Sequence, residues 1–154
     1  MNVFSKKMEY SFSSMILLTS YYYKKQVVSI SLLAEELGIP TSFLAKIIQI
    51  FTKNKLLQGK SGVRGGVILA KNPSDIFLID LYKLIDGNEL MEKCLLGLDA
   101  CQEEDHCPMH ETWKQAKEQL VGFLENNTLE AVYADLKERN NKDITKLIKR
   151  SYKK

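Results

Sequence analysis

The sequence predicts a mainly α-helical fold that carries one small β hairpin. Three features lead to this prediction: two short helical segments joined by a glycine turn, two apolar runs around a basic glycine-rich tip, and a long amphipathic segment further along the chain. With 154 residues, of which 45% are hydrophobic and 27% charged, the chain has the size and composition of one globular domain with an extension. These values argue against a disordered or collagen-like protein.

The first elements follow from stretches that end at clear stop signals. Residues 10–25 lack Gly and Pro and predict a first helix, and the β-branched pair Val27-Val28 predicts a short strand. Residues 31–38 predict a second, short helix whose terminal glycine can adopt a left-handed φ. Ile39-Pro40 then interrupts the helix, and Thr41 is the predicted N-cap of a third helix.

The third helix and the segment after it have the pattern of a winged helix-turn-helix. One broad face of the helix is predicted to be apolar: Phe43, Leu44, Ile47, Ile48 and Phe51. Two helices joined by a tight glycine turn, the second with a basic and polar outer side, form a helix-turn-helix. Apolar runs at 55–60 and 67–70 flank the Gly-rich tip and predict a two-stranded wing. Lys60 and Arg64 would offer positive charge there to a phosphate or a minor groove.

The C-terminal half is predicted to be helical on either side of an irregular segment. Residues 76–85 form an apolar helix, and residues 108–125 form a long amphipathic one. The apolar stripe of the long helix consists of Trp113, Ala116, Leu120, Phe123 and Leu124. Thr128 can cap a last helix. A long striped helix outside a compact winged helix is typical of an interface, which predicts a homodimer; packing within one chain is the alternative.

Charge is divided unevenly along the chain. Residues 1–71 contain ten Lys or Arg and three acidic residues, a balance of +7, whereas residues 72–154 contain twelve and sixteen, a balance of −4. A basic first half suits the DNA backbone, because each neutralised phosphate releases counterions; a solvated surface is the alternative. No apolar stretch has the length of a membrane span or the form of a signal peptide. We therefore expect no membrane association and a reducing, cytoplasmic location.

All three cysteines, Cys94, Cys101 and Cys107, lie within fourteen positions, and His110 follows three residues after the last one. Three thiolates and an imidazole can bind an iron-sulfur cluster or zinc. The spacing lacks the tight pairs of cysteines typical of structural zinc, which favours a cluster; zinc and a thiol switch are the alternatives. A Cys-His nucleophile would need an oxyanion hole that nothing in the chain suggests, so we expect no enzyme. His106 is the rival imidazole.

Over about residues 4–137, the sequence resembles the Rrf2 family of bacterial winged-helix regulators, and among them the iron-sulfur cluster regulators. The resemblance rests on the helix-turn-helix at 31–54, the wing sequence GVRGG at 62–66, the Cys and His set followed by Trp113, and the sequence GFLENNTL at 122–129. It implies a homodimer in which two winged helices read a palindromic operator in double-stranded DNA.

The resemblance also implies a ligand set. Cys94, Cys101, Cys107 and His110 would hold a [2Fe-2S] cluster, although six residues separate the first two cysteines where those regulators typically have five. Glu9 aligns with an acidic residue that reaches the cluster near the partner subunit's long helix in nitric-oxide-sensing and redox-sensing relatives. A [4Fe-4S] cluster held by the three cysteines and the partner's Glu9 is therefore the alternative, and a capping or surface role for Glu9 is another.

On the DNA side, the resemblance matches seven residues to the recognition helix and the wing: Thr41, Ser42, Phe43, Lys46, Lys60, Ser61 and Arg64. Ala45 stands where some cluster-assembly regulators carry an acidic residue, which implies a different base preference. The expected function is a DNA-binding transcriptional regulator that senses iron-sulfur status, redox state or nitric oxide through its cluster. The alternative is an interaction protein with a zinc or cysteine-oxidation switch and no cluster.

These expectations divide the chain into four parts. A winged helix-turn-helix domain covers residues 1–86, and a cluster-binding loop covers 87–111. Dimerisation helices cover 112–139. Residues 140–154, rich in Lys, form a basic tail that we expect to be flexible.

Overall fold

The computed structural model describes residues 3–97, 107–140 and 144–151. They form a mainly helical fold with one two-stranded antiparallel sheet, as predicted. In chain order the elements are α1 Lys6–Tyr23, α2 Ile30–Leu37, α3 Thr41–Lys53, β1 Leu57–Lys60, β2 Gly66–Leu69, a 3-10 turn at Pro73–Asp75, α4 Leu78–Ile85, α5 Glu89–Glu92, α6 His110–Asn126, α7 Leu129–Asn140 and α8 Ile144–Ser151. None of these helices combines the length and the apolar character needed to cross a bilayer.

Helix α1 begins at Lys6 rather than at the predicted Tyr10, because Ser5 caps it. The Ser5 hydroxyl accepts a hydrogen bond from the Met8 amide at 3.0 Å, which satisfies one of the exposed donors of the first turn. The helix ends at Tyr23, and Lys25 follows it with a φ of 53°. The earlier start places Glu9 in the first turn of α1.

Helices α2 and α3 form the predicted helix-turn-helix. Gly38 ends α2 with a φ of 70°, the left-handed conformation that glycine adopts without strain. The predicted capping role of Thr41 is wrong: Pro40 occupies the N-cap position, and Thr41 is the first helical residue. Because the proline ring fixes the φ of Pro40, this residue can precede the helix directly, and α3 starts one residue earlier than predicted. No side chain caps α3.

The predicted apolar face of α3 is correct except at one residue. Leu44, Ile47, Ile48 and Phe51 are buried in the core, whereas the side chain of Phe43 is 38% exposed. The reason is that the core needs only a stripe one to two residues wide per turn, and Phe43 lies at its edge. Phe43 instead packs edge-on against the ring of Tyr10, outside that stripe.

The two strands form the predicted wing. Leu57 pairs with Leu69 and Lys60 with Gly66 in antiparallel register. Val28 makes an isolated bridge with Val67, which confirms the extended character predicted for Val28. A Cβ atom at Gly66 would collide with the backbone of Val28, so glycine lets the segment before α2 approach the hairpin.

The segment between the wing and the long helix ties the two halves of the chain together. The predicted apolar helix over 76–85 begins at Leu78, because Ile76 and Phe77 are extended and pair with the start of α7. The Leu78 amide donates to the Asn127 carbonyl at 2.9 Å, and the Leu129 amide donates to the Ile76 carbonyl at 2.9 Å. The end of α6 is thereby fixed to the winged helix.

The long helix α6 lies within one turn of its predicted limits. Leu124 is fully buried, whereas Phe123, the next residue of the predicted stripe, is 53% exposed. Thr128 caps α7 as predicted, since its hydroxyl accepts from the Ala131 amide at 3.2 Å. Of the other residues of the stripe, Ala116 is exposed, and Trp113 and Leu120 are half-buried, so the stripe is only partly covered in a single chain.

The C-terminal segment differs from the expectation of a flexible tail. Residues 144–151 form α8, which packs on α2, α1 and α7. Ile144 and Ile148, one helical turn apart, are each only 7% exposed. The basic composition of this segment conceals that apolar pair, which is why the sequence reading missed the helix.

Candidate DNA-binding surface and cysteine cavity

The N-terminal half of α3 and the tip of the wing form one candidate surface. Its predicted DNA contacts are all exposed: Thr41, Ser42, Phe43, Lys46, Lys60, Ser61 and Arg64. Since no side chain caps α3, the partial positive charge of its N-terminus is not offset by a carboxylate there. This surface can therefore accept an anionic ligand such as a DNA phosphate.

Phe43 is held in place although it is exposed. Its ring makes an edge-to-face contact with Tyr10, with ring centroids 5.4 Å apart and an interplanar angle of 87°. The ammonium group of Lys6 lies 5.5 Å from the centroid of the Tyr10 ring. A fixed aromatic side chain at the start of α3 can make apolar contact with a thymine methyl group.

The wing tip needs its glycines for backbone reasons. Gly62 has a φ of 107°, and the Gly65 amide donates to the Gly62 carbonyl at 2.9 Å, which closes a tight turn. A Cβ atom at Gly65 would collide with the Lys60 carbonyl. The turn leaves Val63 and Arg64 fully outside the core. Our sequence reading did not single out Val63, although an exposed apolar residue beside an arginine suits insertion into a minor groove.

Cys94, Cys107 and His110 line one cavity of about 270 Å³, which we call the cysteine cavity. It lies between the end of α5 and the start of α6. His110 is the first residue of α6, and its amide donates to the Cys107 carbonyl at 2.9 Å. The Cys107 sulfur accepts from the Met109 amide at 3.4 Å. Three of the four predicted ligands thus border the same space.

Cys101, the fourth predicted ligand, and His106, the rival imidazole, lie outside the described residues. Among the described residues, no three His, Cys, Asp or Glu side chains are grouped closely enough to hold a metal ion. The donors that do line the cavity, two thiols and an imidazole, are of the kind that bind iron-sulfur clusters and zinc. Their chemistry fits a cluster, with Cys101 as the predicted third thiolate.

Glu9 lies elsewhere within one chain. It pairs with Lys6 at 2.9 Å in the first turn of α1, with about a third of its side chain exposed. It does not line the cysteine cavity of its own chain. Any contact of Glu9 with a cluster would therefore have to involve a partner subunit.

A larger groove of about 740 Å³ adjoins the cysteine cavity. The N-terminal segment, α4, α5 and the outer part of α6 form its walls. Trp113 and Lys117 line both spaces, so they form the boundary between the groove and the cavity.

Comparison with known sequences places these features among transcriptional regulators. The family model Rrf2, described as an iron-dependent transcriptional regulator, matches residues 4–135. A putative HTH-type transcriptional regulator of Aquifex aeolicus is 31% identical over 108 residues, which are 69% of this chain and 75% of that protein. The HTH-type transcriptional regulator IscR of Klebsiella pneumoniae is 33% identical over 97 residues, which are 63% of this chain and 59% of IscR. The match therefore spans less than two thirds of that relative.

Solved structures show the same fold. The global cysteine regulator CymR of B. subtilis superposes with a TM-score of 0.75 at 19% identity, over 87% of this chain and 98% of CymR. IscR of T. potens superposes with a TM-score of 0.73 at 23% identity, over 92% of this chain and 93% of IscR. The shared fold alone therefore does not identify what this chain senses, which must be argued from the cysteine cavity.

Proposed function

The chain belongs to the Rrf2 family of transcriptional regulators, and we propose that it binds operator DNA as a homodimer and senses iron-sulfur status through a cluster in the cysteine cavity. Regulators of this family bind DNA and are not enzymes, in agreement with the sequence expectation. One observation carries the sensing part of the proposal: Cys94, Cys107 and His110 border one cavity at the start of the long helix α6.

The proposed DNA contact uses α3 in the major groove and the wing at its side. Thr41, Ser42 and Phe43 would meet base edges, and Lys46 would reach base or phosphate. Lys60, Ser61 and Arg64 would contact the backbone or the minor groove next to it. The proposal is supported by the exposure of all these side chains and by the excess of basic residues in the first half of the chain.

The proposed cluster ligands are Cys94, Cys101, Cys107 and His110. They favour a [2Fe-2S] cluster, with a [4Fe-4S] cluster on the three cysteines and the partner's Glu9 as the alternative. When bound, such a group supplies a redox-active centre that oxygen and nitric oxide can damage. A histidine ligand would make binding depend on pH, because a proton competes with the metal for the imidazole.

The proposed signal passes from the cavity to DNA through α6. The segment after Cys94 leads into α6, whose far end is fixed to the winged helix by buried Leu124 and by the hydrogen bond between Asn127 and Leu78. A change in the cysteine segment would therefore alter how two winged helices are spaced in a dimer. A coupling free energy of about 1–3 kcal/mol changes the DNA affinity about 5- to 150-fold.

The second candidate is an Rrf2 regulator that works without a cluster, through zinc or cysteine oxidation. The fold shared with CymR, which is named a cysteine regulator, allows it. Either function requires access to the chromosome, so we propose a location in the bacterial cytoplasm.

Anaerobic isolation distinguishes the two candidates. We expect a coloured protein with visible absorption, and iron and sulfide bound in proportion to the chain. Replacing Cys94, Cys101 or Cys107 by Ser, or His110 by Ala, should remove or alter that absorption. His106→Ala is the matched control and should leave the spectrum unchanged. A colourless wild-type protein, with stoichiometric zinc or with no metal, would refute the cluster.

A further inference from the structure

The carbonyl group of Lys93 is held by two side chains from a different element. The indole nitrogen of Trp113 donates to it at 3.0 Å, and the ammonium group of Lys117 lies 3.5 Å from it. The same ammonium group donates to the Met91 carbonyl at 3.1 Å. Two side chains of α6 thus satisfy carbonyl groups at the end of α5, which have no partner further along that helix.

The start of α5 is held from the other side. The Leu90 amide donates to the hydroxyl oxygen of Tyr82 at 2.9 Å. Tyr82 belongs to α4 and is only 3% exposed, so its position is set by the core of the winged helix. Helix α5 is therefore bonded to the winged helix at its start and to α6 at its end.

The bonded carbonyl is next to a cysteine. Because the peptide bond is planar, the carbonyl carbon and oxygen of Lys93 lie in one plane with the nitrogen and Cα of Cys94. Fixing the oxygen from α6 fixes the orientation of that plane. The hydrogen bonds that the Lys93 carbonyl accepts therefore set the position of the Cys94 backbone. Cys107 and His110 line the same cavity, so the position of Cys94 relative to them is set as well.

We propose that Trp113 and Lys117 are positioning residues for Cys94. Together they hold the Lys93 carbonyl and keep the Cys94 thiol within the cysteine cavity. The relevance of this positioning to signal sensing rests on the proposed function, whereas the positioning itself is a property of the metal-free chain. Both side chains also line the cavity, so they are placed to respond to what binds there.

Two substitutions separate hydrogen bonding from packing. Trp113→Phe keeps an aromatic ring at the position but removes the N–H donor. Lys117→Met keeps an unbranched apolar side chain but removes the ammonium donors. Lys114→Met is the matched control, because Lys114 also lines the cavity but donates no hydrogen bond to α5.

The readout is the alkylation rate of each cysteine in the reduced, metal-free, full-length chain. Iodoacetamide labelling is stopped at intervals and measured separately for Cys94 and Cys107 by peptide mass spectrometry. We expect Trp113→Phe and Lys117→Met to increase the Cys94 rate about 3- to 10-fold, as the loss of one net hydrogen bond allows, and to leave the Cys107 rate unchanged. Lys117→Arg, which retains cationic donors, should restore the slow rate.

Charge loss alone cannot produce that result. Trp113→Phe removes a donor to the Lys93 carbonyl without changing the charge, so a faster Cys94 rate in that variant has no electrostatic cause. An unchanged Cys94 rate in both variants would overturn the proposal. An equal increase at every cysteine would overturn it too, since it would indicate general loosening. Neither outcome depends on whether the protein binds a cluster, so failure of this proposal is distinct from failure of the proposed function.

Discussion

Individual side chains of α3 and the wing make different expected contributions to DNA binding. Lys46→Ala and Arg64→Ala should each weaken binding, because each removes a positive charge near the backbone. The slope of log affinity against log salt should decrease by about 1 for each lost phosphate contact. Fluorescence anisotropy over a range of salt concentrations measures this. Lys114→Ala on α6 is the control, and equal slopes in all three variants would contradict the proposed surface.

Tyr23 provides a prediction at alkaline pH. Its hydroxyl donates to the Glu130 carboxylate at 2.5 Å, and this hydrogen bond, with a smaller effect of burial, raises the pKa of Tyr23 to about 12. The folded state thus holds the phenol proton more tightly than the unfolded state, whose tyrosine pKa is about 10. The stabilisation is complete below pH 10 and is lost as the pH rises towards 12.

Tyr23→Phe removes that group while keeping the ring that stacks on Tyr133. The free energy of unfolding, measured with denaturant between pH 9 and 12, should decrease less steeply in the variant than in the wild type. The effect should be modest because Tyr23 is 46% exposed. Parallel curves for the two proteins would show that the hydrogen bond to Glu130 does not contribute.

At the scale of elements, α6 offers two neighbouring residues with opposite expected roles. Leu124 is fully buried and Phe123 is 53% exposed. Leu124→Ala should lower the free energy of unfolding by about 2–5 kcal/mol, because it leaves a cavity where α6 meets the winged helix. Phe123→Ala should change folding little but weaken the dimer. Denaturant unfolding and analytical ultracentrifugation measure the two effects, and a reversed pattern would contradict the assigned faces of α6.

Helix α5 should transmit part of the signal through Tyr82, beside the route through α6. Tyr82→Phe removes the oxygen that accepts the Leu90 amide while keeping the buried ring. We expect the metal-free variant to bind DNA like the metal-free wild type. The ratio of DNA affinities with and without the cluster should decrease, because α5 loses its hydrogen bond to the winged helix while the route through α6 remains. An unchanged ratio would show that the signal reaches DNA by another route.

Elements that depend on local sequence patterns could be predicted, whereas elements that depend on contacts between distant residues could not. The glycine at the end of α2 and the glycines of the wing were readable because each answers a local backbone requirement. Helix α5 was missed because its four residues are held by side chains from α4 and α6. The bond between Trp113 and Lys93 spans twenty positions, and no sequence pattern reports such a contact. The start of α1 was predicted at Tyr10 instead of Lys6, because it depends on one side chain, the N-cap Ser5.

The candidate site could likewise be predicted only where its residues are close in sequence. The clustering of the cysteines predicted a shared ligand set, which stays a prediction; Cys94, Cys107 and His110 line one cavity because they are close in sequence around the start of a helix. The exposure of Lys46 and Arg64 followed from the helix period and the turn. The boundary formed by Trp113 and Lys117 was not foreseeable, since it arises from packing of α5 on α6.

At the scale of the whole molecule, a ring of hydrogen bonds through α4, α5 and α6 connects the basic winged helix with the cysteine cavity. Hydrogen bonds lead from Tyr82 to α5 and from α5 to α6. Backbone bonds then return from the end of α6 to α4. This closed path gives a change at the cavity a physical route to the spacing of the DNA-binding helices in a dimer.

The most direct test compares DNA binding with and without the cluster under anaerobic conditions. The duplex is one that the protein itself enriches from a random library, and the dissociation constant is measured by anisotropy at fixed salt. We predict that the loaded and metal-free forms differ about 5- to 150-fold in affinity, and that a Cys94→Ser variant shows no such difference. Equal affinities of the two wild-type forms, or failure to enrich any duplex, would contradict the account.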